Sequence, residues 1–238
     1  MGRAFEVRKA AMAKTSLAKA KVYSRFGKEV YMAAKSGIAD PEMNTTLKRT
    51  IEKAKANQVP ADVIKRAIDK AKGNSGEQYT EIMYEGFGGG ASTILIECLT
   101  DNTNRSIADV RACFNKAHAK AGVSGAVSHS YEKCGILALE YNDEDTLLET
   151  LFAADCSVNE IESEDGIMTV YVESTDLYKA KDAIETLIPE CDFKILEITY
   201  IPNEYIELNE EDKIMFNRLL SLLDEVDDVQ NVYHNVIL

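Results

Sequence analysis

The chain has no tryptophan and, in 238 residues, only four prolines, five cysteines and three histidines. Several of these scarcities close off a class of chemistry. Cys98, Cys113, Cys134, Cys156 and Cys191 are odd in number, widely spaced and never in a CxxC pair, so they read as buried apolar thiols rather than a disulfide framework or a zinc ribbon. His118, His129 and His234 are equally dispersed, which leaves no metal-ligand set and no Cys–His or Ser–His nucleophile pair. No cofactor fingerprint is present. No apolar run nears the roughly 18 residues of a membrane span, and the N-terminus carries charge where a signal peptide needs an apolar stretch. Met1-Gly2 invites N-myristoylation, but Glu6 stands where that motif needs Ser or Thr. A cytoplasmic, non-enzymatic protein with no metal, no cofactor and no membrane partner is expected.

What the chain does have is charge, and it is segregated. Residues 1–76 hold 17 Lys/Arg against 7 Asp/Glu, a balance of +10, whereas residues 77–238 hold 10 against 33, a balance of −23. A block of positive charge on its own folding unit is the electrostatic footprint of polyanion binding, and the acidic remainder limits unspecific adhesion. Within the basic block, Lys14, Lys21, Arg25, Lys28 and Lys35 recur at intervals of 7, 4, 3 and 7. At 3.6 residues per turn they share one side of a helix, opposite Val22, Phe26, Val30 and Ala33. The row would run about 30 Å at a rise of about 1.5 Å per residue, comparable to one turn of a nucleic-acid duplex. A solvated charged face has the same pattern; the charge segregation favours the nucleic-acid reading.

In chain order, the first dozen residues are basic and aperiodic, and are expected to be partly disordered until bound. The long helix stops near Ser36-Gly37. Asp40-Pro41 and Asn44 signal a second helix with the apolar row Leu47, Ile51 and Ala54, and Pro60 opens a third with Ile64, Ala67, Ile68 and Ala71, stopped at Gly73. These helices add Lys48, Arg49, Lys53, Lys55, Lys65 and Arg66 to the cationic surface. The candidate nucleic-acid-binding set is therefore Lys14, Lys21, Arg25, Lys28, Lys35, Lys48, Arg49, Lys53, Lys55, Lys65 and Arg66.

Gly73-Asn74-Ser75-Gly76 reads as a linker. Beyond it the period becomes strand-like, with strands over residues 80–85 and 92–99, a helix over 104–119 and a short strand over 126–131. Residues 135–202 predict strand 136–141, helix 143–155, strand 158–163, an Asp165-Gly166 turn, strand 167–173, helix 176–187 and strand 193–200. That βαββαβ order is ferredoxin-like. Residues 135–205 carry 3 Lys against 18 Asp/Glu, which suits a spacer or protein-facing module more than a nucleic-acid surface. A helix over 209–225 and a strand over 229–236 cannot stand alone, so they are expected to return to the second unit. The expected fold is α+β: a three-helix bundle (1–76), an α/β-sandwich unit (77–134 plus 206–238) and a ferredoxin-like unit (135–205) inserted within it.

Three loops have two readings each. Gly86 to Gly90 clusters backbone N–H groups that could bind an anion, yet it lacks GK[ST] and joins two strands, as a turn does. Thr103, Asn104, Arg105 and Ser106, where a strand gives way to a helix, form either an anion or phosphate corner or a helix N-cap built on Asn102 or Asn104. Gly122-Val123-Ser124-Gly125 is a flexible turn or a backbone clamp. Carboxylates such as Glu162, Glu164 and Asp165 crowd hairpins without the apolar pocket that acid–base catalysis needs.

A set of separated motifs carries a resemblance. They are Met1-Gly2-Arg3, Phe26-Gly27-Lys28-Glu29-Val30-Tyr31, Asp40-Pro41-Glu42, Ile51-Glu52-Lys53-Ala54-Lys55, Val59-Pro60, Tyr84-Glu85-Gly86-Phe87-Gly88, Glu97-Cys98-Leu99-Thr100-Asp101-Asn102 with Asn104-Arg105, and the run Val229 through Val236. In this order, and nearly end to end, they resemble the YebC family of gene-expression regulators; the Phe5-containing start and Tyr233-His234-Asn235-Val236 most resemble its YeeN-like branch. The resemblance implies a three-domain α+β protein with a helical first domain and a non-enzymatic, nucleic-acid-binding role. It implies two targets. Some family members are described as DNA-binding transcriptional regulators; others, including a mitochondrial translational activator, act on the ribosome and help synthesis through proline runs. The partner is then DNA, rRNA or both, with the ribosome as an alternative site of action and a protein partner for the acidic unit as a weaker one. The chain departs from the family pattern at Gly89-Gly90-Ala91, where Pro then Gly is usual, at His118-Ala119, where relatives carry a glycine pair, and in the stretch from Gly125 to Tyr131.

Overall fold

The computed structural model describes residues 19–73 and 78–238. The expected disorder at the N-terminus, the Lys14 end of the cationic row and most of the Gly/Ser linker lie outside the described residues. The described residues up to Val127 form one compact unit with Leu208–Val232, and Ser128–Glu207 form another with Tyr233–Leu238.

The first unit opens with helices α1 (Lys19–Lys35), α2 (Thr45–Ala56) and α3 (Ala61–Lys72). Asn44 caps α2 by accepting the Leu47 N–H (3.0 Å), and its amide donates to the carbonyls of Ala33 (2.8 Å) and Ile38 (3.0 Å), so one side chain fixes both the start of α2 and the end of α1. Phe26, Val30 and Ala34 meet Leu47, Ile51, Ala54, Ile64 and Ala67 in a buried core. Each large side chain there contributes roughly 1.5–3 kcal/mol by leaving water.

Strands β1 (Thr80–Phe87) and β2 (Thr93–Thr100) then pair antiparallel, from Thr80↔Thr100 to Phe87↔Thr93. Helix α4 (Thr103–Lys116) follows, capped by Asn102, which accepts the Arg105 N–H. The strand expected over residues 126–131 does not form there. Instead β3 (Lys120–Ala121) joins the edge of β1, and Ser128–Ser130 make a 3-10 turn. The cause is Glu85. Its carboxylate accepts the N–H of Val127 (2.6 Å), a donor the strand would have used in a ladder, and that of Gly125 just before it (2.7 Å).

The second unit is a βαββαβ fold: β4 (Tyr131–Glu140), α5 (Glu144–Ala153), β5 (Val158–Glu164), β6 (Ile167–Glu173), α6 (Leu177–Leu187) and β7 (Ile195–Pro202). Its sheet order, β5-β6-β4-β7 with antiparallel neighbours, is the ferredoxin-like arrangement. Asp165 (φ 51°) and Gly166 (φ 79°) form the left-handed two-residue turn their sequence signals. Leu137, Leu139, Met168, Val170 and Val172 pack under Leu147, Leu151, Leu177, Ala180 and Ile184. Strand β4 begins at Tyr131, earlier than the apolar run from Ile136, because it pairs with β7 from Tyr131↔Pro202 onward.

The chain then re-enters the first unit with α7 (Glu210–Asp224) and β8 (Val229–His234), giving a sheet in the order β3-β1-β2-β8. The ferredoxin-like unit is thus inserted in the sequence of the sheet it follows. Among the described residues no helix is long and apolar enough to cross a membrane.

Candidate nucleic-acid interface

The cationic side of α1 is not one open surface. Lys21 Nζ lies 3.3 Å from Asp224 Oδ1, and Arg25 Nη1 donates to the Gln230 carbonyl at 2.8 Å. Lys28 Nζ donates to the carbonyls of Asp227 (2.9 Å) and Leu99 (3.3 Å) and sits 3.2 Å from Asp228 Oδ1. The i, i+4, i+7 spacing does place three cations on one face, and that face docks the bundle on the β2–β8 end of the sheet. Lys35, at the exposed end of α1, donates to the Tyr31 hydroxyl at 2.8 Å.

The docking centre is Asp228, whose side chain is only 4% exposed. It receives Lys28, the Thr100 hydroxyl (2.8 Å) and Arg105 Nη2 (2.9 Å). Burial pushes its carboxyl up, but the hydrogen bonds from Arg105, Thr100 and Lys28 together outweigh burial and hold it below the ordinary carboxylate range. Arg105 also donates to Asp101 at 2.7 Å, and that hydrogen bond holds the Asp101 carboxyl low as well. The corner of Thr103, Asn104, Arg105 and Ser106 is therefore furnished with its own carboxylates. Thr103 and Asn104 are exposed, Ser106 is buried, and the guanidinium lies between Asp101 and Asp228. Beneath it, burial pushes the Cys98 thiol up to about 12, which makes it inert as a nucleophile.

The glycine-rich loop is shaped by packing. A methyl group on Gly89 would come within 2.2 Å of Asp212 Oδ1, and one on Gly88 within 2.5 Å of Ser92 Oγ and 2.9 Å of Phe216. The first turn of α7 thus presses a carboxylate against the loop, where a phosphate site would need a cation.

The remaining candidates lie on the outer faces of α2 and α3. Burial of Leu47, Ile51 and Ala54 turns Lys48, Lys53 and Lys55 outward, with Arg49 half-buried. Burial of Ile64 and Ala67 does the same for Lys65, Arg66, Lys70 and Lys72. Lys53 is bridged to Glu29 (3.6 Å), and Arg66 is paired with Asp62. Lys48, Lys55, Lys65 and Lys72 are exposed and form no ion pair among the described residues, although Glu52 and Asp69 stand three or four residues away on the same helices. Among the described residues, too, no group of His, Cys, Asp and Glu is arranged to hold a metal ion.

Two family models cover nearly all of the chain: one described as the TACO1/YebC protein N-terminal domain matches residues 3–74, and one described as the TACO1/YebC second and third domain matches residues 79–236. The chain belongs to the YebC family. It is similar to probable transcriptional regulatory proteins of Alteromonas mediterranea (49% identical over 237 residues, 100% of this chain and 99% of that one) and Alcanivorax borkumensis (50% over 236 residues, 99% of each). The crystal structure of a conserved hypothetical protein from Aquifex aeolicus is similar too, with a TM-score of 0.77 at 30% identity, covering 94% of this chain and 93% of that one. The YebC-type motifs converge in space: Thr100 and Arg105 donate to Asp228, just before the Val229 run, with Asp101 on the same guanidinium, and Asn231 donates to Glu97 at 2.7 Å.

Proposed function

We propose that this chain is a non-enzymatic, nucleic-acid-binding regulator of gene expression that works in the cytoplasm and contacts phosphates through the outer faces of α2 and α3. The observation that carries the reading is the +10 balance of residues 1–76 together with the exposure of Lys48, Lys55, Lys65 and Lys72 without carboxylate partners among the described residues. Lys21, Arg25 and Lys28 are assigned to docking rather than to phosphate. Lysine ammonium groups position a protein on the backbone and read few base edges, so binding is weakly sequence-selective and steeply salt-dependent. The acidic ferredoxin-like unit repels nucleic acid and serves as a spacer or protein-facing module. DNA is the target suggested by relatives named probable transcriptional regulatory proteins. The lysine-rich surface supports a second reading, rRNA on the ribosome, since phosphate positioning suits a large ribonucleoprotein surface as well as an operator.

Replacing Lys48, Lys55, Lys65 and Lys72 together with Glu is expected to weaken binding about 100-fold at low salt and to make the plot of log affinity against log salt shallower by about 3–4. The fold should be kept, because all four side chains are exposed, with a stability loss of about 1–2 kcal/mol at most from Lys55 and Lys72, which lie in the last turns of their helices. Wild-type affinity in this variant, or a wild-type protein that binds neither duplex DNA nor structured RNA at low salt, would sink the reading. Sequencing nucleic acid crosslinked to the protein in cells, with sedimentation on a polysome gradient, separates the two targets: enrichment at promoters with no ribosomal sedimentation supports DNA, and enrichment on rRNA supports the ribosome.

A further inference from the structure

One stretch of the sheet-bearing region reverses its surroundings. Residues 110–127 contain no Asp or Glu and hold Arg111, Lys116, His118 and Lys120, within a region, 77–238, that has 33 acidic against 10 basic residues. The nearest carboxylate upstream on α4, Asp109, is seven residues before Lys116, about 10 Å along the helix axis. The fold gathers the end of this stretch into one corner. After α4 the chain turns through His118 (φ 52°), with the Ala119 N–H on the Phe114 carbonyl (2.9 Å), and enters β3 at Lys120. Lys116, His118 and Lys120 are all exposed, with no carboxylate in ion-pair reach among the described residues. β3 is the edge strand of its sheet.

The loop beyond is fixed from below. The Gly122 N–H bonds the Glu85 carbonyl (2.7 Å), and those of Gly125 and Val127 bond the Glu85 carboxylate. The Ala126 N–H closes a turn on the Val123 carbonyl (3.1 Å), with Gly125 at φ 82°. A rigid tip results, presenting Val123, 77% exposed, and the Ser124 hydroxyl. A cation in the last turn of a helix is ordinarily explained by the carbonyl end of the helix dipole. That accounts for Lys116, but not for Lys120, for the missing carboxylates, or for an apolar residue held out on a clamped loop.

We propose that this corner is a second nucleic-acid contact, with Lys116, His118 and Lys120 on backbone phosphates and the Val123–Ser124 tip against a sugar or base. The inference rests on the nucleic-acid reading above and adds a place: the chain binds at two points, one on α2 and α3 and one at the β3 edge. The test uses the full chain, with anisotropy titrations of a duplex DNA and a hairpin RNA between about 50 and 200 mM salt. The double variant Lys116→Glu with Lys120→Glu is expected to lose about tenfold in affinity and about 2 in salt slope, with the melting temperature lowered by only a few degrees because Lys116 also faces the carbonyl end of α4. Val123→Gly, which leaves every charge in place, is expected to weaken binding by a smaller factor with the salt slope intact. Loss on RNA alone or on DNA alone identifies the nucleic acid this corner grips. Wild-type affinity and slope in both variants, while the wild-type chain binds, overturn this contact and leave the bundle reading standing. A wild-type chain that binds neither probe overturns both.

Discussion

Asp228→Ala is expected to destabilise the bundle-and-sheet unit by about 3 kcal/mol, the low end of the penalty for removing one partner of a buried ion pair, because the Arg105 partner is 47% exposed and screened by solvent. Lys28 Nζ, with its side chain 15% exposed, would keep two carbonyl contacts but lose its only carboxylate within reach among the described residues. The Thr100 hydroxyl would lose its 2.8 Å acceptor in a buried position. Asp228→Asn retains the shape and one acceptor, so a smaller loss, about 2 kcal/mol, is expected. The pH dependence follows from the direction of the shift. Because the folded Asp228 carboxyl is held below its ordinary value, its stabilisation is fully present above the unfolded value of about 4 and disappears as pH falls through the lower folded value. Urea unfolding at neutral pH and at a series of acid pH values measures both effects: wild type should lose this increment progressively as pH falls below about 4, and Asp228→Asn should show a flatter acid limb. A neutral-pH loss under about 1 kcal/mol for Asp228→Ala would mean that the network is a solvated surface cluster.

How much of this was legible beforehand differs by element. The ferredoxin-like unit could be read nearly in full, because its determinants are local: alternating apolar residues for β4 to β7, Asp143 accepting the Thr146 N–H at the start of α5, and Asp165-Gly166 at the hairpin. The bundle helices were equally readable from Asn44, Pro60 and their apolar rows. The cationic face of α1 shows where such reading stops. Its spacing fixes which side chains share a face, but what that face meets is set by Asp224, Asp228 and the Gln230 carbonyl, about 200 residues later in the chain. A row of cations at helical spacing is the same pattern whether it meets phosphates or the carbonyl edge of its own sheet. The missing strand over residues 126–131 has a similar origin, since nothing near Gly125 or Val127 in sequence announces that Glu85 will take their N–H groups. A usable signal did exist in the charge count. Residues 110–127 stand out as carboxylate-free once the acidic part of the chain is scanned in windows rather than summed.

Gly86→Ala is expected to destabilise the same unit by about 3 kcal/mol or more, through overpacking rather than backbone strain. A β-carbon at Gly86 would stand 2.4 Å from Phe114 Cε1, 2.5 Å from Cζ and 2.9 Å from the Lys120 carbonyl oxygen. Neither neighbour can yield cheaply. Phe114 is 1% exposed in the packing of α4 on the sheet, and the Lys120 oxygen belongs to the backbone of β3, which pairs with β1 through Gly86↔Ala121 and Phe87↔Lys120. Relief of the clash therefore moves α4 or lifts β3, and lifting β3 carries Lys120 and the clamped loop with it. Gly125→Ala is the matching control. Its residue sits at φ 82° with no atom within 4 Å of an added β-carbon, so only the left-handed backbone penalty of about 1 kcal/mol applies. Urea unfolding of the two variants should separate them by about 2 kcal/mol. Hydrogen exchange should show lost protection at the Gly122, Gly125 and Val127 amides in Gly86→Ala, because their acceptors lie on Glu85, the adjacent residue. Equal stability of the two variants would show that α4 and β3 are not packed as tightly on Gly86 as these distances require. Full amide protection in Gly86→Ala would show that the loop is held independently of β3.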